Sequence, residues 1–447
     1  MISRKSWLWG GVALVLGLSL GWNFAGPAKV FGENPGKSLQ ASLSPVPISD
    51  AKLKVFAQAL ALIEQQYPEP KTTKDLVYGA IQGAVGTLDP HSSFMTPDEF
   101  RELQIETKGK FSGIGIEITL KDRTLTVVSP IEGTPAYQAG LKAGDQIVKI
   151  DGKPTKNITL MEAVKLIRGA KGSKVTLTIN REGFKNPKDV IITREIIPIH
   201  SVKARILNDG IGYIRITNFQ DSTDHDLEAY LKKMKQRLVP FKGLILDLRN
   251  DPGGLLEQAV RVANEFLKSG LIVYTEGRSR NQNMRFYARP DGDVKAASVP
   301  MVVLINGGSA SASEIVAGAL KDQKRALIAG TKSFGKGSVQ TIIPLDDGSA
   351  LRLTTALYFT PSGVSINDKG IKPDVVVEEQ QPKNESLKKL REELLTEHMR
   401  REGLTDKPWN QPITPEELDK DAQLKKAVEM LRNWPPKNLA QNLTPQE

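Results

Sequence analysis

The chain has 447 residues, 39% hydrophobic and 25% charged, with a formal charge of +10: a globular balance with material for two or three domains. It has no cysteine, which excludes disulfides, thiolate metal sites and cysteine nucleophiles, and its four histidines (His91, His200, His225, His398) show no metal-ligand spacing, so no metal or other cofactor is expected. The basic surplus is spread along the chain without a dense basic stripe and interleaved aromatics, which argues against a nucleic-acid partner.

Arg4 and Lys5 precede the uncharged run Trp7 to Phe24. Residues 1–28 therefore read as an export signal or an uncleaved membrane anchor, and both place the rest of the chain outside the cytoplasm, in a periplasm, free or held at the inner membrane. Residues 29–49, rich in Gly, Ser and Pro, form a linker. Residues 50–108 are expected to be helical. Leu53, Phe56, Ala57, Leu60, Ile63 and Tyr67 recur at helical spacing, and a second run from Leu76 to Leu88 stops at Asp89-Pro90.

Residues 109–195 change to short β-rich runs: Gly115 to Leu120, Leu125 to Val128, Gln146 to Ile150 and Val175 to Ile179, with one amphipathic helix from Leu160 to Arg168. Residues 196–380 alternate strands and helices. Strands are expected at Tyr213 to Ile216, Gly243 to Leu248 and Met301 to Ile305, and helices at Asp224 to Leu238, Leu255 to Leu267 and Ser311 to Leu320. That order implies an α/β core with partly parallel strands. Residues 381–447 are a charged helical extension without a core of its own, expected to pack on the N-terminal helices or on a partner chain. The fold class is α+β and multidomain. The helices at both ends suggest a homodimer, with the N-terminal helices in the contact.

Chemistry concentrates in three segments. In Val303-Leu-Ile-Asn-Gly-Gly-Ser-Ala-Ser-Ala-Ser-Glu-Ile315 a strand ends, small residues turn the chain, and a helix begins near Ser311. A hydroxyl there stands beside the free N–H groups of a helix start, the pairing acyl transfer needs. Taken alone, Ser311-Ala-Ser-Glu314 is better read as a capping box. The second segment, Lys332-Ser-Phe-Gly-Lys-Gly-Ser-Val-Gln340, offers Lys336 as a base. A serine needs one, and no histidine sits in a catalytic context. Lys336 would have to be neutral, its pKa lowered from about 10.4 to about 7–8 by burial. Gln340, four residues on, would share its face in a strand and hold the amine without charging it. The competing reading is a surface turn with a solvated lysine. The third segment, Leu248-Arg-Asn-Asp-Pro-Gly-Gly254, ends a buried strand in a tight turn where Gly253 or Gly254 could present a further N–H.

These motifs, in this order, resemble the carboxyl-terminal processing (tail-specific) serine protease family. Asp89-Pro-His-Ser-Ser and Gly370-Ile-Lys-Pro-Asp match further family segments, so the likeness runs from about residue 50 to 378. The family's nucleophile-to-lysine spacing, 25 residues, selects Ser311 over Ser309 and Ser313. The resemblance implies Ser311 as nucleophile, Lys336 as base, Gln340 as its orienter, and an oxyanion hole from the Ala312 N–H with Gly253 or Gly254. It also implies a crotonase-like core. Asp322 matches a family position where an acid matters, and a structural ion pair is the expected role.

Lys110-Phe-Ser-Gly-Ile-Gly-Ile116 followed by Ala139-Gly-Leu-Lys-Ala-Gly-Asp-Gln-Ile-Val resembles a PDZ domain. Gly113, Ile114, Gly115 and Ile116 stand where such domains bind a terminal carboxylate, with a strand edge for β-augmentation. Leu160, Val164 and Ile167 are expected to line the groove for an apolar C-terminal side chain, or equally to be domain core. Arg168 is a substrate contact, a residue that biases a resting state, or a solvated helix end. The implied activity is a serine endopeptidase that recognises free, apolar C-termini and cuts exported proteins near them. An exported PDZ adaptor and a crotonase-type acyl-CoA enzyme are the alternatives. Retention of Ser, Lys and Gln argues against the first, and the PDZ domain against the second.

Overall fold

The computed structural model describes residues 50–121, 123–207, 209–289, 299–378 and 409–434. The expected export segment, the linker and the first part of the C-terminal extension lie outside them. The chain divides into two compact units, meeting in sequence at Ile63 and Glu64. Helix α1 (Asp50–Gln66) accounts for the described residues of the first, and Leu53, Val55, Phe56, Leu62 and Ile63 on it are exposed.

The second unit opens with α2 (Thr73–Gly86), whose first turn is capped by the Thr72 hydroxyl accepting the Asp75 N–H. A short strand β1 (Ser93–Met95) leads to α3 (Pro97–Lys108). Thr96 and Glu99 form a reciprocal capping box, Pro97 supplies a preset φ in the first turn, and Gly109 ends the helix at φ 62°.

The β-rich region follows: β2 (Lys110–Gly113), β3 (Ile116–Lys121), β4 (Thr124–Pro130), α4 (Pro135–Gln138), β5 (Gln146–Ile150), β6 (Lys153–Pro154), α5 (Leu160–Ile167), β7 (Lys174–Asn180), β8 (Lys188–Thr193) and β9 (Glu195–Pro198). Its sheet runs β3-β4-β5-β7-β8 with β6 on β5, while β2 pairs with β9. Alternation along β7 buries Val175, Leu177 and Ile179 against Leu125, Ile147 and Ile150, and α5 closes this core with Ala163 and Ile167.

The larger core comprises β10 (Val202–Ile206), β11 (Ile211–Ile216), α6 (Thr223–Arg237), β12 (Gly243–Asp247), α7 (Leu256–Asn264), β13 (Leu271–Gly277), β14 (Arg285–Tyr287), β15 (Met301–Ile305), α8 (Ala312–Asp322), β16 (Leu327–Gly330), β17 (Ser338–Pro344), β18 (Ala350–Phe359) and β19 (Val375–Val376). One sheet runs β10-β11-β12-β15-β16-β19, parallel from β11 onward. A second, antiparallel sheet runs β1-β18-β13-β14 with β17 on β18. The sequence did not announce this second sheet, because most residues of β17 and β18 are half-buried and the strands lack a sharp alternation.

Two short helices, α9 (Pro415–Asp419) and α10 (Ala422–Arg432), close the described chain. Within their own unit they pack on the parallel sheet. Leu424, Ala427, Val428 and Leu431 cover Ile245, Val302 and Leu304 on the parallel sheet. A parallel sheet needs both faces covered. Strands β12 and β15 are buried along their whole length, and α6, α7 and α8 cover only one face. Arg249 locks the arrangement by bridging Asp247 at the end of β12 to Asp421, the N-cap of α10.

Candidate active site

Three neighbouring parallel strands deliver three loops to one edge of the sheet. The loop after β12 carries Asn250 to Gly254, the loop after β15 carries Asn306 to Ser311, and the loop after β16 carries Lys336. The carboxyl ends of parallel strands are where open α/β sheets place their ligands.

The first two loops are tied side by side. The Asn250 N–H donates to Asn306 Oδ1 and Asn306 Nδ2 donates to Asn250 Oδ1, both 2.9 Å. The Ala310 N–H and the Ser313 hydroxyl both donate to the Asp251 carbonyl. Of the three serines here, two are spoken for. Ser309 is fully buried and donates to the Leu248 carbonyl, and Ser313 is fully buried against Asp251. Ser311 alone is not fully buried. It holds φ 52°, ψ −111°, a conformation costing roughly 1–3 kcal/mol in a non-glycine residue. Such a strained strand-to-helix elbow lifts a hydroxyl clear of the sheet.

The N–H groups around Ser311 differ in their commitments. The Ala312 N–H, at the first residue of α8, takes no hydrogen bond among the described residues, and neither does the Gly254 N–H. The Gly253 N–H donates to Asp251 Oδ1 at 2.8 Å. The Gly253 carbonyl accepts from the Phe219 N–H at 2.9 Å. A trans peptide points its N–H opposite to its C=O, so the Gly254 N–H faces away from Phe219. Gly253 (φ 103°) must be glycine: a Cβ there would lie 2.8 Å from Ser311 Cβ and 2.9 Å from the Ala312 nitrogen.

Glu314 joins the second loop to the third. It is fully buried, yet both of its oxygens are served twice. Oε2 accepts the Ser311 N–H at 2.8 Å and the Lys336 N–H at 2.9 Å. Oε1 accepts the Ser333 hydroxyl at 2.6 Å and the Gly335 N–H at 2.7 Å. One carboxylate oxygen thus brings the backbones of Ser311 and Lys336 together. Burial raises the Glu314 pKa, and these four donors work against that rise.

Lys336 is half-buried, and its amine has no hydrogen bond or ion pair among the described residues. Burial lowers its pKa, the positive charge of Arg352 lowers it further, and Glu314 offsets part of the effect. Gly337 must be glycine, since a Cβ would sit 2.1 Å from the Asn367 nitrogen. Gln340 Nε2 donates to Thr354 Oγ1 at 2.8 Å, and its Oε1 is buried without a partner. Gln340 does not share a strand face with Lys336. Lys336 precedes β17, and the pairing with β18 shifts register between Val339 and Gln340, which breaks the alternation. Asp322 makes no ion pair among the described residues and instead accepts the Ser362 N–H.

In the β-rich region a cleft of about 1330 Å³ is lined by Ile116, Ile118, Leu160, Val164, Phe111 and Arg168, among others. Ile114 and Ile167 belong to the core beneath it, at 0% and 5% exposed. Gly115 (φ 77°) carries the loop between Gly113 and Ile116 past Thr134, whose side chain a Cβ would strike. Arg168 is not a solvated helix end. It is ion-paired with Glu102 of α3 and lies 4.9 Å over the Phe111 ring.

The sequence profile of peptidase family S41 matches residues 210–377, that of the PDZ domain residues 102–180, and that of the activating protease CtpB N-terminal domain residues 23–99. A carboxy-terminal-processing protease of Bartonella bacilliformis is 47% identical over 85% of this chain and 88% of its own. The chain belongs to peptidase family S41. The carboxy-terminal processing protease CtpA of Bacillus subtilis is 38% identical over 74% of this chain and 70% of its own. The solved photosystem II D1 C-terminal processing protease is 31% identical over 74% of this chain and 94% of its own, with a TM-score of 0.42.

In this S41 serine peptidase the structure brings Ser311, Ala312, Gly253, Gly254 and Lys336 together around the start of α8, with Gln340 on the adjoining sheet. Sequence reasoning missed two partners. Glu314 was visible only as half of a cap, and its second half, toward Lys336, spans 22 residues. Arg352 sits in a strand that the sequence did not mark.

Proposed function

We propose that Ser311 attacks the scissile carbonyl while Lys336, as a neutral amine, takes its proton. Gln340 Oε1, a buried acceptor without a hydrogen-bond partner among the described residues, receives an N–H of that amine when the site is engaged and leaves it uncharged. The oxyanion falls between the Ala312 and Gly254 N–H groups, since the Gly253 N–H is engaged by Asp251. Lys336 passes that proton to the leaving amine as the C–N bond breaks, which leaves the acyl-enzyme; the free amine then takes a proton from water, whose attack on the ester releases the acid and returns the proton to Ser311. The observation that carries this reading is the shared oxygen of Glu314, which sets the nucleophile's backbone beside the base's.

The cleft beneath α5 accepts the substrate's C-terminus: its carboxylate at Gly113 to Ile116, its apolar side chain against Leu160 and Val164. The protein acts outside the cytoplasm on exported proteins, carried there by the apolar segment Trp7 to Phe24 as a cleaved signal or a retained anchor, and works as a homodimer. Ser311→Ala and Lys336→Ala are each expected to cut cleavage of a tail-labelled peptide by at least about 10³-fold, with unchanged circular dichroism. Wild-type turnover by Lys336→Ala would overturn the dyad. Light scattering of the full chain tests the dimer, with a monomeric mass as the contrary result.

A further inference from the structure

Three buried acids surround the catalytic loops, and two are well partnered. Asp247 meets Arg249 and Tyr213; burial works to raise its pKa, but the charges of Arg249 and Arg215 outweigh it and hold it at about 2. Glu314 meets four donors. Asp251 is equally inaccessible, at 0% exposed, and its carboxyl is different. Oδ1 accepts one N–H, that of Gly253, and Oδ2 is buried without a hydrogen-bond partner among the described residues.

We propose that Asp251 is a positioning residue working as an uncharged carboxylic acid, whose Oδ1 pins the Gly253 N–H and thereby aims the Gly254 N–H at the oxyanion beside Ser311. The proposal rests on the reading of Ser311 as nucleophile. The Gly253 N–H and the nearby Ser313 hydroxyl favour the charged form, but a buried carboxylate with so few donors is disfavoured and neutralises instead. Function points the same way. A fixed negative charge on this turn would oppose a developing oxyanion, whereas a neutral acid supplies the acceptor without the charge. Burial accordingly pushes the Asp251 pKa well up. The charged groups facing it are Arg215 from β11, which opposes the rise, and Asp247 from β12, which adds to it; Ser313 from α8 is neutral. The sign follows. An acid whose folded pKa lies above its unfolded value makes the native state hold the extra proton, so stability falls as pH rises from the ordinary aspartate range toward the folded pKa.

The test compares Asp251→Ala and Asp251→Asn with the wild-type full chain. Asp251→Ala removes the tether and is expected to lower kcat about 10- to 100-fold with KM unchanged; Asp251→Asn, which keeps Oδ1 and cannot ionise, should restore kcat to within about threefold. The melting temperature of Asp251→Asn should exceed wild type by a margin that widens from pH 4 to pH 8. The infrared band of a protonated carboxyl should be present in wild type at neutral pH and lost in Asp251→Asn. A folded but inactive Asp251→Asn, a margin constant with pH, or a missing carboxyl band would each overturn the proposal. If Asp251→Ala fails to fold, the Asn variant and the infrared band still decide. Activity surviving in Ser311→Ala would sink the nucleophile reading, while the pH-dependent margin reports Asp251 on its own.

Discussion

The loops around Ser311 and the cleft beneath α5 are held by different forces. Around Ser311 the contacts are short, directional and internal: paired Asn250 and Asn306, the Asp251 carbonyl with two donors, and Glu314 with four. Around the cleft an apolar wall from Ile116, Ile118, Leu160 and Val164 is joined by polar residues that include Glu117, Gln138, Glu195 and the Arg168–Glu102 pair. Directional bonds fix atoms to within fractions of an ångström, which proton transfer requires. Apolar walls reward burial and tolerate variation, which suits recognition of many tails. A change at the first place should therefore act on kcat, and a change at the second on KM.

The strongest way to break that contrast is at Glu314. Glu314→Ala leaves the Ser311, Gly335 and Lys336 N–H groups and the Ser333 hydroxyl without their acceptor. Each orphaned buried donor costs about 1–3 kcal/mol. The variant should lose several kcal/mol of stability in urea titration and at least about 10²-fold in kcat. Near-normal kcat in a folded Glu314→Ala would mean that the loops hold their places without the clamp.

Next in size is a change that leaves positions alone and moves a charge. Lys336 accepts a proton only as the free amine, so kcat/KM should climb as pH rises through its pKa. Burial and then Arg352 lower that pKa, so the climb should fall below the ordinary lysine value of 10.5. Arg352→Met removes the second cause. Its limb should move to higher pH, with activity reduced near neutrality and regained on the alkaline plateau. A uniform loss at every pH would instead assign Arg352 a structural role.

The parallel half of the core was legible because its strands carry unmixed apolar runs: the expected Met301 to Ile305 matches β15, and Gly243 to Leu248 differs from β12 by one residue. The helix expected to begin at Ser311 begins at Ala312, with Ser311 as its N-cap, so cap and candidate nucleophile are one residue. The antiparallel sheet was not legible. Thr341, Thr354 and Thr355 interrupt its apolar residues, and its half-buried strands give no clear period. The role of Glu314 was hidden for another reason. A capping box looks the same whether the glutamate stops at the helix start or reaches on to a loop 22 residues away. Spacing marked which side chains belong to the site, but the buried polar contacts that place them are long-range.

The smallest expected effect lies in the cleft and is the most discriminating. Val164→Ala removes two methyl groups from a wall that Leu160 and Ile118 share. At about 0.8 kcal/mol per buried CH₂, and with the wall only partly covered, a docked tail should weaken about 3- to 10-fold. That loss should appear in KM for peptides with a free apolar C-terminus and vanish for the same peptides amidated, whose binding no longer draws on the carboxylate nest. It should leave kcat untouched, because no hydrogen bond links Val164 to the loops that hold Ser311 and Lys336. A fall in kcat with KM unchanged would mean that the two regions are coupled, and that filling the cleft also sets the geometry of the base.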